Sequence, residues 1–174
     1  MKKQTKNTII LIVIGVILAT LKSKASTLYA SALNFIKIKE GGLYLKAYQD
    51  SGGVWTIGWG STYDFDKQRK VLPGDKISQA QAQKWLEIET SKDATEIKKL
   101  VKPYLNSNEL NALISFVYNV GINAFRNSTM LKLLNAGADK QTVANEFDKW
   151  IYDNGVKVQG LINRRIAEKK LFLS

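Results

Sequence analysis

The sequence predicts an α+β fold: a small β-hairpin region beside a mainly helical lobe, with a groove between the two. Three observations carry this. Two short strand-like runs, residues 45–49 and 54–59, flank the turn-forming stretch Asp50-Ser51-Gly52-Gly53. Most of the chain beyond residue 77 has apolar residues at helical spacing, punctuated by capping and stop signals. The 174 residues suit one domain with a sizeable core.

Taken in order, the chain opens on Lys2, Lys3 and Lys6, then an apolar run at 8–21, TIILIVIGVILATL, which stops at Lys22. As a helix, this run would reach roughly 21 Å, short of the ~30 Å hydrocarbon core of a bilayer. A basic start, a short apolar core and then the small residues Ser23, Ala25 and Ser26 match the order of an export signal. Cleavage after Ala25 and retention as a short, releasable anchor both stay open. Richness in Leu, Ile and Val favours the membrane; the short length favours cleavage. Residues 22–27 read as a linker.

The spacing predicts a helix over 27–39, the hairpin over 45–59, and a polar loop or short third strand over 63–76. Ser78-Gln79-Ala80-Gln81 has the pattern of a capping box, so a long helix should run toward Leu100 and stop before Pro103. A strongly apolar helix over 108–119 ends at Gly121. Further helices are expected over 128–135, 140–152 and 160–172.

The chain has neither His nor Cys. That excludes Ser-His-Asp and Cys-His catalysis, zinc bound by His or Cys, and disulfides. No phosphate-cradling Gly-rich loop stands between a strand and a helix. Chemistry therefore falls to carboxylates, Lys, Tyr and hydroxyls. The net charge of +11 implies an anionic partner. Five of the 26 basic residues lie in 1–24; the other 21, against 15 acids, leave +6 scattered over helices. No basic stripe with interleaved aromatics appears, so nucleic acid is not the expected partner. An anionic bacterial envelope polymer fits better.

Residues 40–62, EGGLYLKAYQDSGGVWTIGWGST, concentrate the candidate chemistry. Glu40 ends an apolar helical segment, Asp50 sits at the hairpin turn, and Thr56 lies on the return strand. Such a set can work on a glycosidic bond: the Glu protonates the leaving oxygen while the Asp and Thr position or activate a water.

Six fragments in order, EG…LKAYQD…GVWTIGWG, VLPGDKIS, LNALISFVYNVG, AFRNSTML, LLNAG and GLINRRIAEKKLF, resemble the phage-type lysozymes of glycoside hydrolase family 24, the endolysins that cut bacterial peptidoglycan. The resemblance spans about residues 30–173. It implies a lysozyme-like α+β fold, hydrolysis of the β-1,4 bond between N-acetylmuramic acid and N-acetylglucosamine with inversion, and no cofactor. The domains expected are then residues 1–25, the export signal or signal-anchor read above, and residues 26–174, a single lysozyme-like catalytic domain. The protein is expected to be a monomer with no metal, exported to the periplasm or beyond, or transiently anchored in the inner membrane. By the same resemblance Glu40 is the general acid, Asp50 stabilises positive charge or activates water, and Thr56 holds that water. Arg164 pairs with Glu40, and Tyr118, Asn119 and Gly121 form a groove wall that meets sugar amides. Trp59 is the expected exposed sugar platform among the tryptophans, because it shares a face with Trp55 and lies near the loop. The competing reading is a catalytically inactive peptidoglycan-binding envelope protein.

Two features depart from the family. Nine residues separate Glu40 from Asp50, one more than usual, with Gly41-Gly42 where one Gly is common. Ser61 stands where the family commonly has His, so the structural pair made by that His is expected to be missing.

Overall fold

The computed structural model describes residues 29–50 and 52–174. The apolar run 8–21, with all of the export segment, lies outside the described residues, as do the first residues of the helix expected from Thr27. Among the described residues, no helix is long and apolar enough to cross a membrane.

Helix α1 (Ala30–Lys39) buries Ala32, Leu33 and Ile36 as one stripe. Glu40 closes it, its N–H donating to the Ile36 carbonyl at 2.9 Å. Gly41 and Gly42 then turn the chain out at φ +74° and +140°, angles that cost little only for glycine. The stretch from this exit to Asp50, which carries the extra residue, also holds a register irregularity between Tyr44 and Tyr48.

Strands β1 (Tyr44–Gln49) and β2 (Trp55–Gly58) pair antiparallel, with Tyr48 opposite Thr56 and Gln49 opposite Trp55. The pleat does not continue to Trp59. Ile57 and Ser61 exchange both backbone hydrogen bonds at 2.9 Å, so the chain reverses through Gly58-Trp59-Gly60. The reversal turns the Trp59 ring into the main core, where it is 8% exposed, and Lys37 Nζ lies 4.6 Å over it. The expectation of an exposed Trp59 platform is therefore corrected.

The stretch expected as a loop or third strand forms a second hairpin, β3 (Tyr63–Asp64) with β4 (Arg69–Lys70). Asp64 Oδ1 accepts from the N–H groups of Asp66 and Lys67 at its turn. Asp75 locks its base: it receives two hydrogen bonds from Arg69, at 2.8 and 2.7 Å, and one from the Leu72 N–H. These donors hold its carboxyl well below the usual range.

Helix α2 (Gln79–Leu100) opens with the expected capping box, Ser78 and Gln81 each receiving a backbone N–H of the other. Helix α3 (Ser107–Val120) begins with a second box, Asn106 with Glu109. From Leu110 to Val117 every residue is buried. A helix hidden on all sides is a central one, and α3 packs against α1, α2, a short α4 (Ile122–Arg126) and the last helix. Phe116 lies at the middle, edge-on to Phe147 and Trp150 at 5.3 Å each.

Helix α5 (Thr129–Asn135) forms as expected. The helix expected over 140–152 is shorter: α6 (Lys140–Asn145) passes into a 3₁₀ turn (Glu146–Lys149). A third hairpin then pairs β5 (Tyr152–Asp153) with β6 (Val156–Lys157) around Asn154-Gly155, a sequence suited to a tight hairpin. Helix α7 (Gln159–Leu173) closes the chain and lies along α3.

Candidate active site

Between the hairpins and the helical lobe runs a groove of about 650 Å³. Glu40, Asp50, Thr56, Tyr118, Asn119 and Gly121, distant in sequence, all line it. Arg164 approaches from behind, and Trp59 is behind the wall rather than on it.

Glu40 is placed by the end of α1 and its carboxylate by two contacts. Arg164 Nη1 donates to Oε1 at 2.6 Å. Oε2 rests against Gly60, so closely that a Cβ there would stand 3.0 Å away. Its side chain is 21% exposed, against 4% for that of Arg164. Arg164 also donates from Nε to Glu168 Oε1 at 3.1 Å, and from Nη2 to the Ser115 carbonyl at 3.1 Å. Arg165 Nη2 joins Glu168 Oε1, at 3.1 Å, to Asn119 Oδ1, at 2.9 Å. Its Nε lies 2.8 Å from Glu168 Oε2 as an ion pair without hydrogen-bond alignment. Two arginines and two glutamates thus meet beneath the groove, where burial raises the Glu168 carboxyl against the pull of Arg165 and Arg164. Sequence reading found Glu40 and Arg164 and missed Glu168, Arg165 and Ser115. The only local trace of the missed members was the spacing of Arg164, Arg165 and Glu168 at three and four residues on α7.

Asp50 divides its two oxygens. Oδ1 accepts from the N–H groups of Gly52 and Val54 at 2.9 and 2.8 Å, which fixes the turn. Oδ2 is within 3.5 Å of Thr56 Oγ1. Thr56 Oγ1 also lies 3.1 Å from the Val54 carbonyl, so its hydroxyl is oriented before any ligand arrives. The turn reading of Asp50 is met by Oδ1, while Oδ2 is left facing Thr56 in the groove.

The groove also contains residues that sequence reading did not single out. Tyr48, Tyr63 and Phe65 are its aromatic surface. The Tyr48 ring packs tilted against that of Tyr44, centroids 4.4 Å apart. Glu89 and Asp93, one turn apart on α2, line the opposite wall, and burial pushes each carboxyl up to about 7. Ser61 does form a pair, with Glu89 at 3.0 Å, where a missing structural pair was expected.

A mainly helical lobe beside small hairpins, with a groove between them, is the architecture of the lysozyme-type glycoside hydrolases, and similarity to known proteins places the chain among them. The model of the phage lysozyme family matches residues 38–168. The chain is 39% identical over 137 residues to the endolysin of Acyrthosiphon pisum secondary endosymbiont phage 1, which covers 76% of this chain and 89% of that relative. It is 39% identical over 146 residues, 83% of its length, to the endolysin of Bacillus phage B103, and spans 53% of that relative. It is 32% identical over 136 residues to the SAR-endolysin of Bacteriophage PS119, covering 76% of this chain and 75% of that one. Its structure superposes on the endolysin from Escherichia coli O157:H7 phage FAHEc1 with a TM-score of 0.73 and 36% identity, over 83% of this chain and 91% of that chain. The chain belongs to the phage lysozyme family.

Proposed function

We propose that this phage lysozyme cuts the β-1,4 bond between N-acetylmuramic acid and N-acetylglucosamine in peptidoglycan, with inversion, and so breaks the bacterial wall. The observation that carries the reading is Glu40, with Arg164 on one carboxylate oxygen and the other directed at the groove that Asp50 and Thr56 share. Glu40 protonates the leaving oxygen, Thr56 holds a water, and Asp50 orients that water or stabilises the developing positive charge. Tyr118, Asn119 and Gly121 form the wall for sugar amides, and Tyr48 and Tyr63 replace Trp59 as stacking surfaces. The net charge of +11 suits an anionic polymer and a monomer drawn to it. Clearing of purified walls, combined with proton NMR of the first-formed anomer, tests the proposal. A product retaining the β configuration would refute inversion.

Gly60 is a local test of the same geometry. At φ +98° an L side chain is strained, and a methyl group 3.0 Å from Glu40 Oε2 would push that carboxylate aside by a few tenths of an ångström. Gly60→Ala is expected to displace the Glu40 carboxylate and slow clearing at least about tenfold, because small misplacements of a catalytic group are costly. Stability should fall by only about 1–3 kcal/mol for the strained backbone. Unchanged clearing would show that the contact does not position Glu40.

Residues 1–25 are the proposed route to the substrate, either as a cleaved signal or as a transient inner-membrane anchor. The similarity to a SAR-endolysin supports release from an anchor. A chain beginning at Ser26 behind an initiating Met is expected to stay inside the cell and leave culture density unchanged, whereas the full chain lyses its host. Lysis by the shortened form without a membrane lesion would overturn this. A mature species starting near Ser26 would indicate cleavage. A full-length membrane species that later becomes soluble would indicate release.

A further inference from the structure

Glu89 has no role in the proposed hydrolysis, yet it is the meeting point of three elements in the groove. It projects from α2. Its Oε1 lies 3.0 Å from Ser61 Oγ on the chain leaving β2, and its Oε2 lies 3.3 Å from the Tyr118 hydroxyl on α3. Each hydroxyl has a second acceptor: Ser61 Oγ stands 3.0 Å from the Tyr63 carbonyl, and Tyr118 OH stands 2.8 Å from the Trp59 carbonyl. Four contacts therefore compete for two hydroxyl protons, since neither carbonyl can donate. An ionised Glu89 would leave two of the four without a proton. A protonated Glu89 supplies the third: Tyr118 donates to the Trp59 carbonyl, Glu89 Oε2–H donates to Tyr118, and Ser61 donates to Glu89 or to Tyr63.

We propose that Glu89 is a positioning residue of the groove: a neutral acid that bridges Tyr118 and Ser61 and so fixes the reversal Trp59-Gly60-Ser61 against which the Glu40 carboxylate rests. The inference rests on the lysozyme reading for its catalytic consequence. It stands on geometry first and on burial second. Desolvation outweighs the two hydroxyls and lifts the Glu89 carboxyl to about 7, with Asp93 adding to the rise and Lys92 opposing it. Burial and the Glu89 charge hold the Tyr118 hydroxyl well above its ordinary value, so it remains a donor. The other charged groups facing the network are Glu40 from α1, itself paired with Arg164 of α7, and Asp93 and Lys92 on α2. The chain has no His, and burial brings the Glu89 and Asp93 carboxyls near neutrality.

Loss of the Glu89 proton returns the network to two protons for four contacts. Tyr118 or Ser61 must then give up a backbone carbonyl, and the reversal behind Glu40 loosens. Activity should therefore fall on the alkaline side, in kcat rather than KM, with Glu89 adding a fall of its own to the one the general acid Glu40 brings.

The test compares the full chain with Glu89→Gln and Asp93→Asn. Gln keeps the shape of the neutral acid, with a permanent N–H donor beside a carbonyl. The parent is expected to clear walls about tenfold more slowly at pH 8 than at pH 6, as expected one unit above a group titrating near 7. Glu89→Gln should match the parent at pH 6 within about threefold and fall clearly less than the parent between pH 6 and pH 8, any remaining fall belonging to the Glu40 proton of the general-acid step, while Asp93→Asn keeps the full fall. A Glu89→Gln profile as steep as the parent's, or an Asp93→Asn profile that is flatter, overturns the proposal. A second readout needs no activity. In the parent, the amide resonances of Gly60 and Ser61 should shift with the midpoint of one glutamate carboxyl near pH 7, and Glu89→Gln should abolish both. A Glu89 carboxyl titrating in the ordinary glutamate range overturns the idea. Absence of clearing at every pH would sink the lysozyme reading instead, and the resonances would still decide the state and reach of Glu89.

Discussion

Glu40→Gln is expected to slow the clearing of cell-wall suspensions by about 10²–10⁴-fold, the span attributable to one general acid. Glutamine fits the same space, and its carbonyl oxygen can still accept from Arg164 Nη1, now 2.6 Å from Oε1. What it lacks is a proton to give to the leaving oxygen. The rate loss corresponds to about 3–5 kcal/mol of barrier. The fold should be nearly unaffected, because Glu40 is one of several partners of Arg164 and the side chain is partly exposed. Melting and clearing are to be measured on the same preparation. Clearing within threefold of the parent would remove Glu40 from the mechanism. A large drop in melting temperature would mean that the lost activity reports damage to the fold.

The parts of this site that were legible in the sequence are those written in contiguous residues. Glu40, Asp50 and Thr56 fall within 17 positions, and the hairpin that carries two of them is specified by its own turn. The long α2 was legible from its Ser78–Gln81 box, because capping is a local interaction. The third hairpin was readable in principle from Asn154-Gly155, but strands of two residues on each side give no alternation to count. Trp59 misled because alternation holds only while a strand continues; β2 ends at Gly58, and the Ile57–Ser61 reversal turns the chain before Trp59 can take its place in the pleat. Glu89 and Glu168 were illegible for a different reason. Each is an acid on a helix rich in charges: Glu168 is buried by the packing of α7 against α3, and Glu89 is half-buried where α2 meets α3 and the chain leaving β2. Surroundings of that kind are made by several elements at once, which no local window contains. Ser61 shows the converse: the local substitution was visible, but its partner lies 28 residues away on another element.

Arg164→Met is expected to cost more stability than any other single change at the site, about 3–5 kcal/mol, the usual cost of removing one member of a buried pair. Methionine fills part of the volume and removes four interactions at once: Glu40 at 2.6 Å, Glu168 at 3.1 Å, and the carbonyl and hydroxyl of Ser115 at 3.1 and 3.4 Å. The consequence falls mainly on Glu168, which is fully buried and would keep Arg165 as its remaining cation. At roughly 2–4 °C per kcal/mol for a chain of this size, melting should drop by about 6–20 °C. Arg164→Lys should recover only part of this, since one ammonium cannot span the same acceptors as a planar fork. Clearing should also fall, because Glu40 loses the donor that orients it. The two roles separate in a cycle with Glu40→Gln. If Arg164 stabilises the fold chiefly through Glu168, then Arg164→Met costs nearly the same stability whether position 40 is Glu or Gln. Its effect on clearing should be large in the parent and small once Glu40 is Gln. A stability cost that disappears in the Gln background would instead make the Glu40–Arg164 pair the principal contact, and the buried Glu168 a bystander.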